Sequence, residues 1–221
     1  MLALSLVLCA LVGYIIGAIP VGVLISDYHR VDIGKQGSGK TGTTNVLRSI
    51  GRRAALLVLI GDVMKGAVAV LLARWLVSAL VPANETLQLL GTTFSLWTAA
   101  SLAAAFGSVF GHVWSLFLRL LQGRWNGGRG VATGLGAVLV VNPFIVLVAA
   151  AVGIPTMIIS RYVSLGSILG AVAGGLALIA LVAVGQMDAL SLLCIFVPIF
   201  VIAAHKDNIG RLLKGTERKL G

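Results

Sequence analysis

The sequence predicts an all-α, polytopic integral membrane protein of about seven transmembrane helices, some of them short or broken. Three numbers carry that reading: apolar residue types make up 58% of the 221 residues, charged types only 11%, and the mean hydropathy is +1.04. A soluble domain carries about 25% charged residues, so soluble, disordered, coiled-coil and disulfide-scaffold classes are excluded together. Against this oily background, 17 Lys and Arg face 7 Asp and Glu, for a formal net charge of +10. Where those cations sit decides the topology.

A helix needs about 20 apolar residues to cross the hydrocarbon core. Met1–Ser26 comes first; it is too long, and lacks the basic start, for a signal peptide, so it reads as a retained span. Ala54–Val81, Thr92–Phe110 and Val163–Gly185 qualify on length, and Ala189–Ala204 is short but clean. Val131–Ser160, about 30 residues, is long for one span and short for two. Asn142-Pro143 sits at its centre, and proline drives the preceding residue out of helical geometry. Cys9 and Cys194 fall inside apolar runs, where cysteine behaves as a small hydrophobe.

Charge resolves the ambiguous stretch, because Lys and Arg in short loops mark the cytoplasmic side. Loop 27–53 carries Arg30, Lys35, Lys40, Arg48, Arg52 and Arg53, and loop 111–130 carries Arg119, Arg124 and Arg129. Arg161 follows, and the tail 205–221 holds Lys206, Arg211, Lys214, Arg218 and Lys219; together these are 15 of the 17 cations. The remaining loops, Pro82–Gly91 and Gln186–Asp188, hold one acid each and no base. A single crossing of 131–160 would put Arg161 and the tail outside. Two passes, or entry and return, place every basic cluster inside, with the N-terminus outside and the C-terminus cytoplasmic. No internal repeat is evident, and Pro20 and Pro143 do not match as the paired breaks of an inverted-repeat transporter would.

Loop 27–53 contains Gly34-Lys-Gln-Gly37-Ser38-Gly39-Lys40-Thr41-Gly42-Thr-Thr-Asn45-Val-Leu-Arg48. It fits both G-x-x-x-x-G-K-[ST] and G-x-G-x-x-G, but those patterns carry meaning only between a buried strand and a helix of an α/β domain. Here a membrane helix precedes the loop. The chemistry common to both still applies: glycines let backbone amides converge on an anion, and Arg48 adds a planar fork suited to phosphate. A flexible, positive-inside linker is the plainer reading. The second loop runs Phe110-Gly111-His112, then Gly127-Gly128-Arg129-Gly130 before a helix start, which favours an anion. The tail reads His205-Lys-Asp-Asn208-Ile-Gly-Arg211, whose His205 and Asn208 spacing predicts one shared helix face; an ordinary lipid-binding basic tail would also explain it. Asp62 and Lys65 lie roughly 12–17 Å into the second span, where ionisable residues are paired with each other or functional. Arg74 reads as snorkelling to the outer surface, and Arg161 as a topology anchor.

Taken together, these stretches resemble the bacterial membrane acyltransferases that acylate glycerol 3-phosphate from acyl phosphate, the PlsY family. The matching residues are Ile19-Pro20-Val-Gly22, Gly37-Ser38-Gly39…Gly42…Thr44-Asn45…Arg48, Asp62…Lys65-Gly66, Phe110-Gly111-His112, Gly127-Gly128-Arg129-Gly130-Val-Ala-Thr133, Arg161-Tyr-Val-Ser-Leu-Gly166-Ser, and His205-Lys206…Asn208…Arg211…Gly215-Thr216-Glu217. They run in order over nearly the whole chain. There are departures. Ser115 stands where the family has proline, Lys40 where it has asparagine and Thr43 where it has alanine. The family's Phe-Lys-Gly-Gly-Lys-Gly is changed to Asn126 and Arg129 at its two lysines, with about five extra residues around Leu121–Trp125. Arg124 and Lys40 are then the candidates for the missing charge.

The resemblance implies transfer of a fatty acyl group from acyl phosphate to the 1-hydroxyl of sn-glycerol 3-phosphate, giving lysophosphatidic acid and phosphate. It implies one membrane-embedded domain over residues 1–221, with loops 27–53 and 111–130 and the tail 205–221 forming the active-site face. His205, Ser38, Arg48 and Asn208 become the expected catalytic residues. Gly37, Gly39, Asn45, Lys65, Gly127, Gly128, Arg129, His112 and Arg211 become the expected substrate- and phosphate-binding residues, with a structural role for His112 equally open. The expected partners are acyl phosphate, glycerol 3-phosphate and the bilayer, with no nucleic acid, no cofactor and no metal. The expected setting is a monomer in the bacterial cytoplasmic membrane. The residues agree. Neither the His-x-x-x-x-Asp pattern of acyl-CoA-dependent acyltransferases nor a Gly-x-Ser-x-Gly elbow is present, and three scattered histidines give no metal-site spacing. The proton acceptor is either His205 or the substrate's own phosphate. The competing class is a transporter or flippase of a phosphorylated metabolite or lipid, which only the mid-depth Asp62 and Lys65 favour.

Overall fold

The computed structural model describes residues 2–82, 85–89, 92–125 and 127–220, and these are overwhelmingly helical. The chain divides into two compact units, up to Val140 and from Val141 onward. The division falls beside the Asn142-Pro143 break.

In the first unit, α1 (Leu2–Ala18) and α2 (Val21–Tyr28) are separated by Ile19-Pro20. They are followed by a 3-10 turn at Ile33–Lys35, α3 (Thr43–Ser49) and the long α4 (Arg52–Leu80). A hairpin pairs β1 (Leu87–Leu89) with β2 (Thr92–Phe94), and α5 (Leu96–Val113), α6 (Leu116–Gln122) and α7 (Val131–Val141) complete the unit. The third span therefore starts later than expected, because Thr92-Thr-Phe94 is β-prone and is taken by the hairpin. It also ends later, so His112 lies inside α5 rather than in a loop.

Helix α1 packs on α5 and α4. The α1–α5 contact is glycine on both sides: Gly13 and Gly17 sit directly on the backbone of Ala104 and Ser108, while Gly107 and Gly111 sit on that of Ala10 and Tyr14. Small residues four apart let two backbones approach where lipid offers no hydrophobic drive to associate. Gly66 of α4 and Gly136 of α7 do the same for the backbones of Thr133 and Val63.

In the second unit, Asn142 caps α8 (Pro143–Ser160) by accepting from Phe144 N at 3.0 Å, with Pro143 at the first helical position. That is the break the sequence anticipates. α8 packs against α9 (Val163–Ala183). A 3-10 segment, Ala189–Ile195, runs into α10 (Phe196–Ala204), and α11 (Lys206–Leu213) follows after a bend of 53°. His205 occupies that bend, so it does not share an α11 face with Asn208 as the spacing suggests.

By length and composition five segments can cross a membrane: Leu2–Tyr28, Arg52–Leu80, Leu96–Val113, Pro143–Ser160 and Val163–Ala183. The bent pair Ala189–Ala204 with Lys206–Leu213 makes a sixth, and Val131–Val141 is a shorter apolar helix.

Candidate active site

The break between α1 and α2 sets the geometry of the first unit. Pro20 has no amide hydrogen to continue the ladder, which leaves carbonyls at the end of α1 in need of donors. Ser115 Oγ donates to Ala18 O at 2.5 Å, and Lys65 Nζ donates to Ile19 O at 3.0 Å. Ser115 also caps α6, accepting from Leu118 N at 3.2 Å. The serine found where proline is usual therefore has two hydrogen bonds that a proline could not make.

Lys65 is buried and its ammonium meets Asp62 Oδ1 at 2.9 Å; His112 Nδ1 approaches the same oxygen at 3.6 Å. The mid-depth charges thus pair with each other. Their cluster ties α4 to the α1–α2 break and to the end of α5. The Lys65 ammonium thus spends two of its three donors on Asp62 and Ile19. His112 in turn seats the second glycine loop. Gly127 packs on its carbonyl and donates to Val113 O at 2.9 Å, and Gly128 packs flat against its ring. A side chain at either glycine would displace the histidine. Arg129 follows, half-buried, where the chain turns into α7.

The first glycine loop is organised by Asn45. Its Nδ2 donates to Gln36 O and Lys40 O, each at 2.9 Å, and its Oδ1 accepts from Ser38 N at 3.3 Å. Gly37 and Gly39 take φ of 54° and 68°, in the left-handed region that favours glycine. Asn45 therefore has a shaping role, with both ends of its amide spent on the loop backbone. Ser38 and Arg48 stand exposed at the loop surface and the last turn of α3. Gly22 of α2 lies against the Thr41 carbonyl, which seats the loop on the broken helix.

The two loops meet. Arg124 Nη1 donates to Gly39 O at 2.9 Å, and the Gly34 backbone lies against its guanidinium. The α-carbon of Gly128 lies 4.0 Å from where a side chain on Gly42 would start. Arg124, suggested by the sequence only as a spare charge, is thus a structural link. Asn126 lies outside the described residues.

In the second unit Glu217 is the hub, a residue that carries the resemblance but is not among the expected site residues. Its Oε1 accepts from Ser164 Oγ at 2.9 Å and from Asn208 Nδ2 at 2.6 Å, and its Oε2 accepts from Arg211 Nε at 2.7 Å. Burial pushes the carboxyl up, but these three donors outweigh it and hold Glu217 below the usual carboxylate range. Asn208 Oδ1 is left buried without a hydrogen-bond partner. Arg161 is not only a topology anchor: its backbone and Nε bond both faces of Leu220, at 2.7 and 3.0 Å. The signal for Glu217 was an acid, one of two with Asp207, in a basic tail. His205 is buried, and its Nδ1 lies 2.7 Å from Val201 O. A carbonyl can only accept, so Nδ1 carries the proton and the basic lone pair of the neutral ring is on Nε2.

A glycerol-3-phosphate acyltransferase family model matches residues 7–215. A glycerol-3-phosphate acyltransferase of Rippkaea orientalis is 41% identical over 219 residues, covering 97% of this chain and 92% of that protein. Among solved structures, PlsY, an integral membrane glycerol 3-phosphate acyltransferase, matches in its glycerol 3-phosphate form with a TM-score of 0.79 and 30% identity, covering 98% of this chain and 96% of that one. Its lysophosphatidic acid form matches with a TM-score of 0.77 at the same identity and coverage.

Proposed function

The chain belongs to the glycerol-3-phosphate acyltransferase family, and on that premise we propose that its acyl donor is an acyl phosphate and its product the 1-acyl lysophosphatidic acid. It is an integral membrane acyltransferase acting on glycerol 3-phosphate. In the proposed reaction the 1-hydroxyl oxygen of glycerol 3-phosphate attacks the acyl carbon. The bond from that carbon to the phosphate oxygen breaks, and inorganic phosphate leaves.

The observation that carries the donor assignment is the joining of two glycine loops in the first unit through Arg124 and Gly39, with Ser38 and Arg48 on the exposed surface. Backbone amides, a hydroxyl and guanidinium groups suit a substrate pair in which both members bear phosphate. An acyl phosphate is already activated, so orientation and charge stabilisation supply the rate without a covalent acyl-enzyme. The proton of the attacking hydroxyl goes to His205 Nε2, and Asn208 Oδ1, buried without a hydrogen-bond partner, is the acceptor offered to a substrate hydroxyl. Arg211 serves as a phosphate ligand through its terminal nitrogens. The setting we propose is a single chain in the inner membrane of a bacterium, with its chemistry at the cytoplasmic face, where the basic loops fall.

Purified protein given palmitoyl phosphate and glycerol 3-phosphate should release phosphate and form lysophosphatidic acid, while palmitoyl-CoA at the same concentration should not replace the donor. Equal turnover with palmitoyl-CoA would refute the donor assignment. In the same assay His205→Gln should lower kcat and change the shape of the rate profile against pH. A raised KM with an unchanged profile would move the base to the substrate's own phosphate.

A further inference from the structure

The geometry around Arg124 points to a guanidinium strut that holds the first glycine loop in its anion-binding shape. The inference rests on the reading that this loop binds the phosphate of a substrate. Helix α6 ends at Gly123, in the left-handed conformation with φ 67°, and Arg119 Nη1 closes the turn by donating to Gly123 O at 2.5 Å. Immediately after it, the Arg124 guanidinium is gripped edge-on by Gln122. Nε and Nη2 donate to Gln122 Oε1 at 2.9 and 2.7 Å. That leaves Nη1, pointing at the other loop, and it donates to Gly39 O. The guanidinium also fills the space over Gly34, where any side chain would collide with it. A long side chain loses much of its freedom on being fixed; here Gln122 has already fixed it.

The strut completes the fastening of the loop. Gly37 and Gly39 both hold left-handed backbone, and Asn45 fastens the loop from within through Gln36, Ser38 and Lys40. Asn45 bonds the residues around Gly39 but not the Gly39 carbonyl. Arg124 takes that carbonyl, so the loop is fastened from within α3 and from outside by α6. With the carbonyl held toward the arginine, the orientation of the Gly39–Lys40 peptide is set, and Lys40 N of that peptide donates to Ser38 Oγ at 3.4 Å, so the strut steadies the exposed Ser38 hydroxyl that the loop offers to a phosphate. The base of the strut is also placed: Ser115 anchors the start of α6 on Ala18, and Ser115 N donates to Trp125 O at 3.3 Å. Arg124 is a positioning residue, not a ligand of the reacting atoms.

The test uses the full-length enzyme in detergent with three variants: Arg124→Ala, Gln122→Ala, which keeps the guanidinium but frees it, and Arg124→Lys. KM and kcat are measured separately for acyl phosphate and glycerol 3-phosphate, so that the arms show whose phosphate the loop holds. Arg124→Ala should raise KM for one of the two by about tenfold, with kcat within about threefold. Gln122→Ala should move the same KM in the same direction, and Arg124→Lys should recover only part of the loss, because an ammonium lacks the fork. Independently of turnover, trypsin should cut the wild type slowly at Lys35 and Lys40, and Arg124→Ala several-fold faster at an unchanged melting temperature. Unchanged KM values together with unchanged trypsin cutting would overturn the strut. Faster cutting with both KM values unchanged would leave the strut standing as a loop fastener and overturn phosphate binding by the loop.

Discussion

At the scale of single residues, two carboxylates hold polar clusters together, and they should fail differently. Asp62 neutralises a buried ammonium that itself donates to the broken end of α1. Removing one partner of a buried pair leaves an uncompensated charge and costs about 3–5 kcal/mol, whereas replacing both by apolar groups is often close to neutral. Asp62→Asn should therefore lower the melting temperature sharply, and Asp62→Asn with Lys65→Met should recover much of it, since only the capping of Ile19 is then lost. A double variant no more stable than the single one would show that the pair is not what matters. Glu217 is different because it lies in the C-terminal tail, outside the apolar helices, and is held by three donors. Its folded carboxyl lies below the ordinary value of 4.5, so the fold favours the ionised form. That contribution is complete above about pH 4.5 and is lost as pH falls through the lower folded value. Melting curves should show the wild type losing stability below about pH 4.5 more steeply than Glu217→Gln, and parallel curves would remove Glu217 from its hub.

At the scale of elements, the helix crossings depend on glycine as contact surface rather than as flexible backbone. A methyl group at Gly17 would strike the Ser108 carbonyl of α5, while one at Gly210 in α11 meets nothing. Gly17→Ala should cost about 1–3 kcal/mol, as overpacked interiors do. Gly210→Ala should be neutral or stabilising by about 0.5–1 kcal/mol, because a helix interior prefers alanine; chemical denaturation of both variants compares them directly. The elements also show what could be read from the sequence and what could not. The apolar runs and the Asn142-Pro143 break were legible because each depends on local composition or on one proline. The hairpin, the α1–α2 break with its caps, and the helices within both basic loops were not, because short elements are stabilised by contacts distant in sequence. The same limit applies to the site. Glycine, serine and basic residues marked the loops, but only the fold shows that Asn45 spends its amide on the loop backbone, that Lys65 divides its ammonium between Asp62 and the Ile19 carbonyl, and that Glu217 organises Asn208 and Arg211.

At the scale of the whole molecule, charge and helix length together constrain the path through the membrane. Helix α7 has 11 residues and α8 has 18, so at 1.5 Å per residue they are about 16 and 27 Å long against a hydrocarbon core of about 30 Å. The first cannot cross unaided, and hydropathy alone cannot say whether residues 131–160 cross once, twice or turn back. The cations supply the missing condition. Basic residues near helix ends favour the cytoplasm, and Arg129 and Arg161 flank this stretch, followed by the basic tail. An even number of passes, or a turn-back at Asn142, satisfies all of them; a single pass leaves Arg161 and the five tail cations on the wrong side. A reporter active only outside the cytoplasm should therefore be silent when fused after Tyr162 and active after Gln186. A cytoplasmic reporter should show the converse. Activity after Tyr162 would mean a single pass, and the basic tail with His205, Asn208 and Arg211 would then face away from the metabolite pool that supplies a soluble phosphorylated acceptor. The same pair of fusions thus tests the topology and the side on which the proposed chemistry takes place.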